Sequence, residues 1–426
     1  MLRLKSTSKP SRPSHHANDA GTLFKNPWDS SIPPTWTELL IKQEFPVEWY
    51  KEGLPSHAKA QKLEVVTPDW GDSSLRERNL ERERCIVGTW LGHASSLAEL
   101  PLQGITSDET KRSAWFLFDP IFSYRAGPTQ YTGPSRFNKS PCQVADLPGC
   151  DAVFVSHNHY DHLDASSIQS LVSRFPKAKY FVPLRNKSIL AGMGVPKGNL
   201  YELDWWNMRE FSPLDFGCAL KEGSEEIILR FTCVPAQHNS GRGALDKDST
   251  LWCGWVIEQT LCSKDEANAS ATRRHGSIYH AGDTGYRRIA TSDVVCPAFK
   301  EIGSKFGPFD LSFIPIWRGG TLGFLSNMGL RLLHKNMPAQ NHGSPMDAVA
   351  MHLDVKSRNT IGIHFGTFVG SENEALEAVI EFGEACDAKG VQDLVKVNDV
   401  GKENGLGRAG TIDIGASCVV GIGGLE

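Results

Sequence analysis

From residue 85 onward the chain breaks into short apolar runs separated by polar or glycine-bearing turns. The runs at 86–91, 114–118, 151–155, 180–183, 227–233, 277–282 and 360–363 each have the length of a buried strand. Residues 165–175 and a stretch near Ile189 carry helical spacing, and 202–206 opens a further strand region. Strands alternating with helices predict a layered α/β domain.

The N-terminal part follows a different pattern. Residues 1–22 are rich in Ser, Lys, Arg and Pro, carry His15 and His16 side by side, and have no acidic residue before Asp19. A disordered basic tail is expected there. It resembles a mitochondrial presequence in composition, but Pro10 and Pro13 interrupt any amphipathic helix, so a solvated tail is the preferred reading. Residues 23–84 are expected to form an extension. Its aromatic part, with Phe24, Trp28, Trp36, Phe45, Trp49 and Tyr50, packs on the core or lies on a membrane. Thr35 and Glu38 have the spacing of a capping box. The charged stretch 62–84 reads as a solvated helix or linker. A domain over 85–426 follows.

Composition narrows the choices. A chain of 426 residues with 40% apolar content can bury a large core. A net charge of −4 gives no case for nucleic-acid binding. The ten cysteines show no C-x-x-C and no regular spacing, which reads as buried free thiols in a reducing compartment. No apolar run is long enough to span a bilayer, so membrane contact would be peripheral.

The chemistry concentrates where the strand at 151–155 ends. Ser156-His157-Asn158-His159-Tyr160-Asp161-His162 packs three imidazoles and a carboxylate into one turn, in the pattern H-x-H-x-D-H. Neutral imidazole with carboxylate is the usual donor set of a hydrolytic zinc centre. Three later strands run out into further donors: His238 after 227–233, Asp283 after 277–282, and His364 after 360–363. Open α/β sheets place their sites beyond the carboxyl ends of strands. A histidine cluster followed by His, Asp and His is what a dinuclear zinc hydrolase needs, with two ions about 3.5–4 Å apart sharing a carboxylate. Two strand-end residues read less sharply. Asp119, before Pro120, reads first as a turn former and second as a partner of a ligand histidine. His93, in Gly92-His93-Ala94, reads as a core histidine when taken alone.

The chain resembles the metallo-β-lactamase superfamily and, more closely, the N-acyl-phosphatidylethanolamine-hydrolysing phospholipase D family. The resemblance runs from about residue 23 to 385. It is carried by Phe24-Lys25-Asn26-Pro27-Trp28, Thr89-Trp90-Leu91-Gly92-His93-Ala94, Asp119-Pro120-Ile121-Phe122-Ser123 and Gln130-Tyr131-Thr132-Gly133-Pro134 with Arg136-Phe137. Further along it is carried by the stretch from Ser156 to Asp164, Glu202-Leu203-Asp204-Trp205-Trp206 and Ala281-Gly282-Asp283-Thr284-Gly285-Tyr286. Phe306-Gly307-Pro308-Phe309-Asp310-Leu311 and His364-Phe365-Gly366-Thr367-Phe368 complete it. The resemblance implies a four-layer αβ/βα sandwich and two Zn2+ per chain. One ion would be held by His157, His159 and His238, the other by Asp161, His162 and His364, with Asp283 bridging. His342 falls where the family has a further active-site histidine near the phosphate. The implied substrate is an N-acylated phosphatidylethanolamine, cleaved to phosphatidic acid and an N-acylethanolamine. The N-terminal extension, an unusual loop and the family habit suggest an intracellular, peripheral membrane protein acting on a phospholipid, and they raise a homodimer.

Three stretches depart from the family pattern. Residues 260–275 look like a polar insertion. Residues 317–341 replace an aromatic loop with a longer apolar one, read as a lipid-facing lid ahead of a packed helix. Asn398-Asp399-Val400-Gly401 lacks a histidine that the family often has there. The competing readings are a lactonase or other metallo-hydrolase on the same fold, and a lipid-binding protein that keeps zinc without catalysis.

Overall fold

A computed structural model describes residues 12–33, 47–49, 63–106, 113–262, 272–289, 292–317, 330–332, 340–369, 372–394 and 405–424. Before the domain lie β1 (Val47–Trp49) and α1 (Asp72–Glu77). The first sheet is built from β2 (Cys85–Trp90), β3 (Ser96–Pro101), β4 (Ser113–Phe118), β5 (Ala152–Phe154), β6 (Lys179–Pro183) and β7 (Leu200–Leu203). Helices α2 (Ala165–Arg174) and α3 (Lys187–Gly192) fall between its later strands. The second sheet takes β8 (Met208–Phe211), β9 (Glu226–Val234), β10 (Gly254–Cys262), β11 (Thr272–His280) and, after α4 (Ala298–Lys305), β12 (Leu311–Pro315). Next come β13 (Leu330–Leu332), α5 (Pro345–Val355), β14 (Asn359–Ile363), α6 (Glu372–Lys389), β15 (Gln392–Asp393), β16 (Arg408–Gly410) and β17 (Ser417–Gly421).

The sheet orders are β17-β2-β3-β4-β5-β6-β7 and β15-β16-β14-β12-β11-β10-β9-β8. In each sheet an antiparallel half (β17 to β4, and β8 to β11) continues into a parallel half. The period of two along each strand decides which side chain goes where. On β4, Ala114, Phe116 and Phe118 join the core between the sheets, while Leu117 faces a separate cluster. On β5, Ala152 and Phe154 point inward and Val153 outward; on β6, Phe181 points inward and Tyr180 and Val182 outward. The outward set packs under Ile168 and Leu171 of α2 and Leu190 of α3.

The inner faces meet through aromatic rings. Phe154 lies 5.2 Å from Phe231 and 5.4 Å from Trp255, and Phe116 lies 5.4 Å from Phe231. Offset and edge-to-face pairs of this kind contribute about 0.5–1.5 kcal/mol each beyond their burial. Helices α4, α5 and α6 cover the outer face of the second sheet, with Phe299, Ile302, Met351, Val355 and Phe382 buried. The result is the expected αβ/βα sandwich.

The tail differs from expectation. Residues 12–22 are ordered against the domain, because His15 and His16 both bond to Asp204 and Phe24 behind them is buried. Residues 1–11 lie outside the described residues. The charged stretch is not simply solvated either. Leu75 packs on Cys85, Val87 and Val419, and Arg82 pairs with Asp72 and the buried Glu99. Of the 260–275 stretch, the described residues 260–262 and 272–275 belong to the β10–β11 hairpin, which is paired as far as Cys262 and Thr272. Of the 317–341 loop, β13 is described and pairs antiparallel with β1, tying the loop to the N-terminal extension. The Thr35–Glu38 pair and the Asn398–Gly401 stretch lie outside the described residues.

Candidate metal centre

Every donor singled out in the sequence lies beyond the carboxyl end of a strand, and the two sheets aim these ends at one point. His157 to His162 follow β5, His238 follows β9, Asp283 follows β11 and His364 follows β14. Gly282 makes the approach of Asp283 possible. Its φ is +62°, and a Cβ there would lie 2.6 Å from the Ser156 Cβ and 2.8 Å from the Cys253 carbonyl oxygen. His93 and His364 also have positive φ, 52° and 66°, and the His364 amide donates to the His93 carbonyl at 2.9 Å. Such conformations in non-glycine residues persist only where the surroundings enforce them.

Two groups of donors emerge. In one, His157 Nε2 lies 2.8 Å from His159 Nδ1, and His238 Nε2 lies 3.3 Å from the same atom. In the other are Asp161, His162 and His364, together with His93. His162 Nε2 is 3.7 Å from Asp161 Oδ2. Asp283 stands between the groups. Its Oδ1 is 2.9 Å from His364 Nε2, while its Oδ2 is 3.1 Å from His162 Nε2, 3.7 Å from His238 Nε2 and 4.0 Å from His157 Nε2. His342 sits at the rim with Nδ1 3.8 Å from Asp283 Oδ2, and its ring stacks on His364 at 5.3 Å.

The partners behind these donors fix which nitrogen faces the centre. Ser156 Oγ donates to Asp119 Oδ2, so its lone pair receives the His157 Nδ1 proton. His162 Nδ1 donates to Asp119 Oδ2 at 2.8 Å, and His238 Nδ1 donates to the Asn341 carbonyl at 2.9 Å. In all three rings Nε2 faces inward, and in His157 and His238 it is a bare acceptor. His162 Nε2, His364 Nε2 and Asp283 Oδ1 are buried, and although Asp283 lies 3.1 Å and 2.9 Å from the two nitrogens, none of the three atoms makes a hydrogen bond of good geometry, a costly arrangement for polar atoms unless something else binds them.

Electrostatics agree with that reading. Burial holds the His157 and His238 imidazoles well below their ordinary range, and it lowers His159 as well, so these rings are neutral donors. Burial opposes ionisation of Asp161 and Asp283, but the neighbouring imidazoles, His162 foremost, outweigh it and hold both carboxyls well below the usual range. His162 goes the other way: burial is overcome by Asp283, Asp161 and Asp119, which draw positive charge onto it. The buried Asp119 and Asp283 and the half-buried Asp161, gathered around imidazoles of which only His162 is drawn to positive charge, call for cations. An imidazole-rich set with bridging carboxylate suits zinc-type ions, and the residues present fit such a group.

Two partners were weighted too lightly in the sequence. Asp119 forms the turn after β4 (φ 42°), but it is also fully buried and hydrogen-bonded to His162, so it orients a ligand-type histidine as well as bending the chain. His93 is no isolated core histidine: its Nε2 donates to Asp161 Oδ2 at 2.9 Å, and burial lowers its pKa to about 4. Its position just past β2, at a glycine-bearing turn, is the same form as the other donors. Asn26, Ser30 and Gln237 buttress His238; Asn26 stands in a stretch that carries the family resemblance, but nothing in the sequence places any of the three beside His238.

Comparison with known proteins gives the same picture. The sequence model of the β-lactamase superfamily domain matches residues 114–365. The N-acyl-phosphatidylethanolamine-hydrolysing phospholipase D 1 of Caenorhabditis elegans is 32% identical, over 87% of this chain and 88% of its own. The mitochondrial N-acyl-phosphatidylethanolamine-hydrolysing phospholipase D of Saccharomyces cerevisiae is 27% identical, over 84% of this chain and 72% of its own. A metal-dependent hydrolase of Pyrobaculum neutrophilum is 23% identical, over 68% of this chain and 90% of its own. With its donors gathered at the strand ends of this sandwich, the chain belongs to the N-acyl-phosphatidylethanolamine-hydrolysing phospholipase D family of the metallo-β-lactamase superfamily and is a metal-dependent hydrolase.

Proposed function

We propose that the protein is a two-zinc phosphodiesterase that cleaves N-acyl-phosphatidylethanolamine to phosphatidic acid and N-acylethanolamine at a membrane surface. The observation that carries this reading is the position of Asp283 between the donor groups: its Oδ1 faces His364, and its Oδ2 lies near His162 of the same group and near His157 and His238 of the other. His157, His159 and His238 would hold one ion, Asp161, His162 and His364 the other, and Asp283 both. Bound there, the ions would supply electrophilic stabilisation of phosphoryl oxygens and acidify a water to near neutral pH.

The chain's own groups do the rest. Asp283 orients the attacking water and accepts its proton. The new oxygen–phosphorus bond forms in line with the one that breaks, so the N-acylethanolamine oxygen leaves opposite the nucleophile. His342, lowered by burial to about 4, is neutral at working pH and donates a hydrogen bond to the phosphate or to the departing oxygen, while the proton that Asp283 took from the water passes on to that oxygen, so the N-acylethanolamine leaves as the alcohol. Asp119 and Ser156 keep His157 and His162 in the correct tautomer throughout. Among the described residues no helix is long and apolar enough to cross a membrane. Substrate access is therefore proposed through peripheral contact, with an intracellular membrane, mitochondrial in one reading, as the setting. Replacing Asp283 with Ala tests the mechanism: hydrolysis should fall to background with the far-ultraviolet circular dichroism unchanged, and retained turnover would refute it.

A further inference from the structure

The side of the centre that holds His238 is built partly by the N-terminal strap, residues 12–33. His15 Nε2 donates to Asp204 Oδ1 at 2.6 Å and His16 Nε2 to Asp204 Oδ2 at 2.9 Å. His15 and Trp28 both stack on Trp205, at 4.2 Å and 5.4 Å. Phe24 is buried, and its amide donates to the Asp248 carbonyl at 2.9 Å. Held at these points, the strap delivers two side chains beside His238. Asn26 Nδ2 donates to the His238 carbonyl at 2.7 Å, and its Oδ1 receives the Trp252 indole proton at 3.2 Å. Ser30 Oγ donates to the side-chain oxygen of the fully buried Gln237. The amide of Gln237 donates in turn to the carbonyls of Ser30 and Gln340, at 3.3 Å and 3.0 Å. Gln340 precedes Asn341, whose carbonyl fixes the His238 ring.

His238 needs this support more than the other donors do. It lies four residues past the end of β9, beyond the reach of the strand ladder. His157 and His162 are fixed instead by Ser156 and Asp119, which follow β5 and β4 of the first sheet and form no hydrogen bond with the strap among the described residues. Partners that orient a metal ligand typically change affinity about 10–100-fold when removed.

We propose that the N-terminal strap is a working part of the metal centre: Asn26 and Ser30 are positioning residues that set the metal affinity of the His157–His159–His238 subsite, and the clasp of His15 and His16 on Asp204 keeps them in place. This rests on the reading that the cluster holds an ion in each donor group. The strap therefore acts on one subsite and leaves the other alone.

The test is zinc affinity of the full chain, measured by competition with a coloured chelator. Asn26→Asp keeps the acceptor for Trp252 and removes the donor to His238; Ser30→Ala removes the link to Gln237. Each should weaken one of two bound ions by about 10–100-fold and leave the second unchanged. The double variant His15→Ala/His16→Ala should weaken the same ion. Repeating Asn26→Asp in a His364→Ala background, where the three-histidine subsite remains, should reproduce the loss. In a His159→Ala background it should have no effect. A merely structural strap would weaken both ions or neither, and either result overturns the proposal. A wild-type chain that takes up no zinc refutes the two-ion reading and the proposal with it; unchanged affinities in a two-ion protein refute the proposal alone.

Discussion

The Asp119 carboxylate receives the Nδ1 proton of His162 at 2.8 Å while its other oxygen receives the Ser156 amide at 2.6 Å. One buried side chain thus ties the end of β4 to the histidine turn after β5 and sets the tautomer of a ligand-type ring. Asp119→Asn removes its charge, and with it part of the basicity that a carboxylate partner lends the imidazole. Zinc affinity should drop about 10–100-fold, with turnover falling in parallel at limiting zinc. Dialysis against graded chelator, followed by metal analysis, reads the loss; full retention would show that Asp119 serves the turn alone.

His342 tests a different part of the account. It is 3.8 Å from Asp283 and stacks on His364, yet it is not needed to complete either donor group. His342→Gln should leave two zinc ions bound and lower kcat about 10²–10³-fold, the usual range for losing one donor aimed at developing charge. Steady-state kinetics with metal analysis on the same sample separate this from a ligand role, in which metal content would fall as well.

Acid sensitivity of the metal-free fold should depend on His352. This ring is fully buried: its Nε2 donates to the Leu406 carbonyl and its Nδ1 accepts from Thr360, each at 2.8 Å. Burial lowers its pKa, against the pull of the Leu406 carbonyl. With the folded pKa below the unfolded one, the unfolded chain binds more protons as the solution is acidified. The stabilisation is therefore whole above about pH 6.5 and is lost as pH falls through the folded pKa. Melting temperatures of metal-free wild type and His352→Gln, compared at pH 7.5 and 5.5, should show a steeper fall in the wild type. Equal slopes would contradict this.

Much of this was legible in the sequence because period and placement are local properties. The alternation on β4 sorts Phe116 and Phe118 from Leu117 without knowledge of any neighbour. The donors stood out because each group lies in the turn at the exit of an apolar run. Asp119 was harder, since a strand-end aspartate before proline serves a turn equally well and the sequence does not show His162 beside it. The strap was legible only as a motif around Phe24 and Trp28, without its contacts. Asn26 and His238 are 212 positions apart, and His15 and Asp204 are 189 apart, so only the packed structure brings them together. A basic, proline-bearing tail reads as unfolded until its partner carboxylate is known, and for that reason residues 12–22 were expected to be loose.

The central claim is that these residues hold two zinc ions that cleave an N-acylated phospholipid. The most direct measurement is hydrolysis of vesicles containing N-acyl-phosphatidylethanolamine by the purified full chain, with zinc determined on the same sample. The account predicts two zinc ions per chain and release of phosphatidic acid and N-acylethanolamine in equal amounts. Two zinc ions with no release from the vesicles, and hydrolysis of a lactone instead, would contradict it.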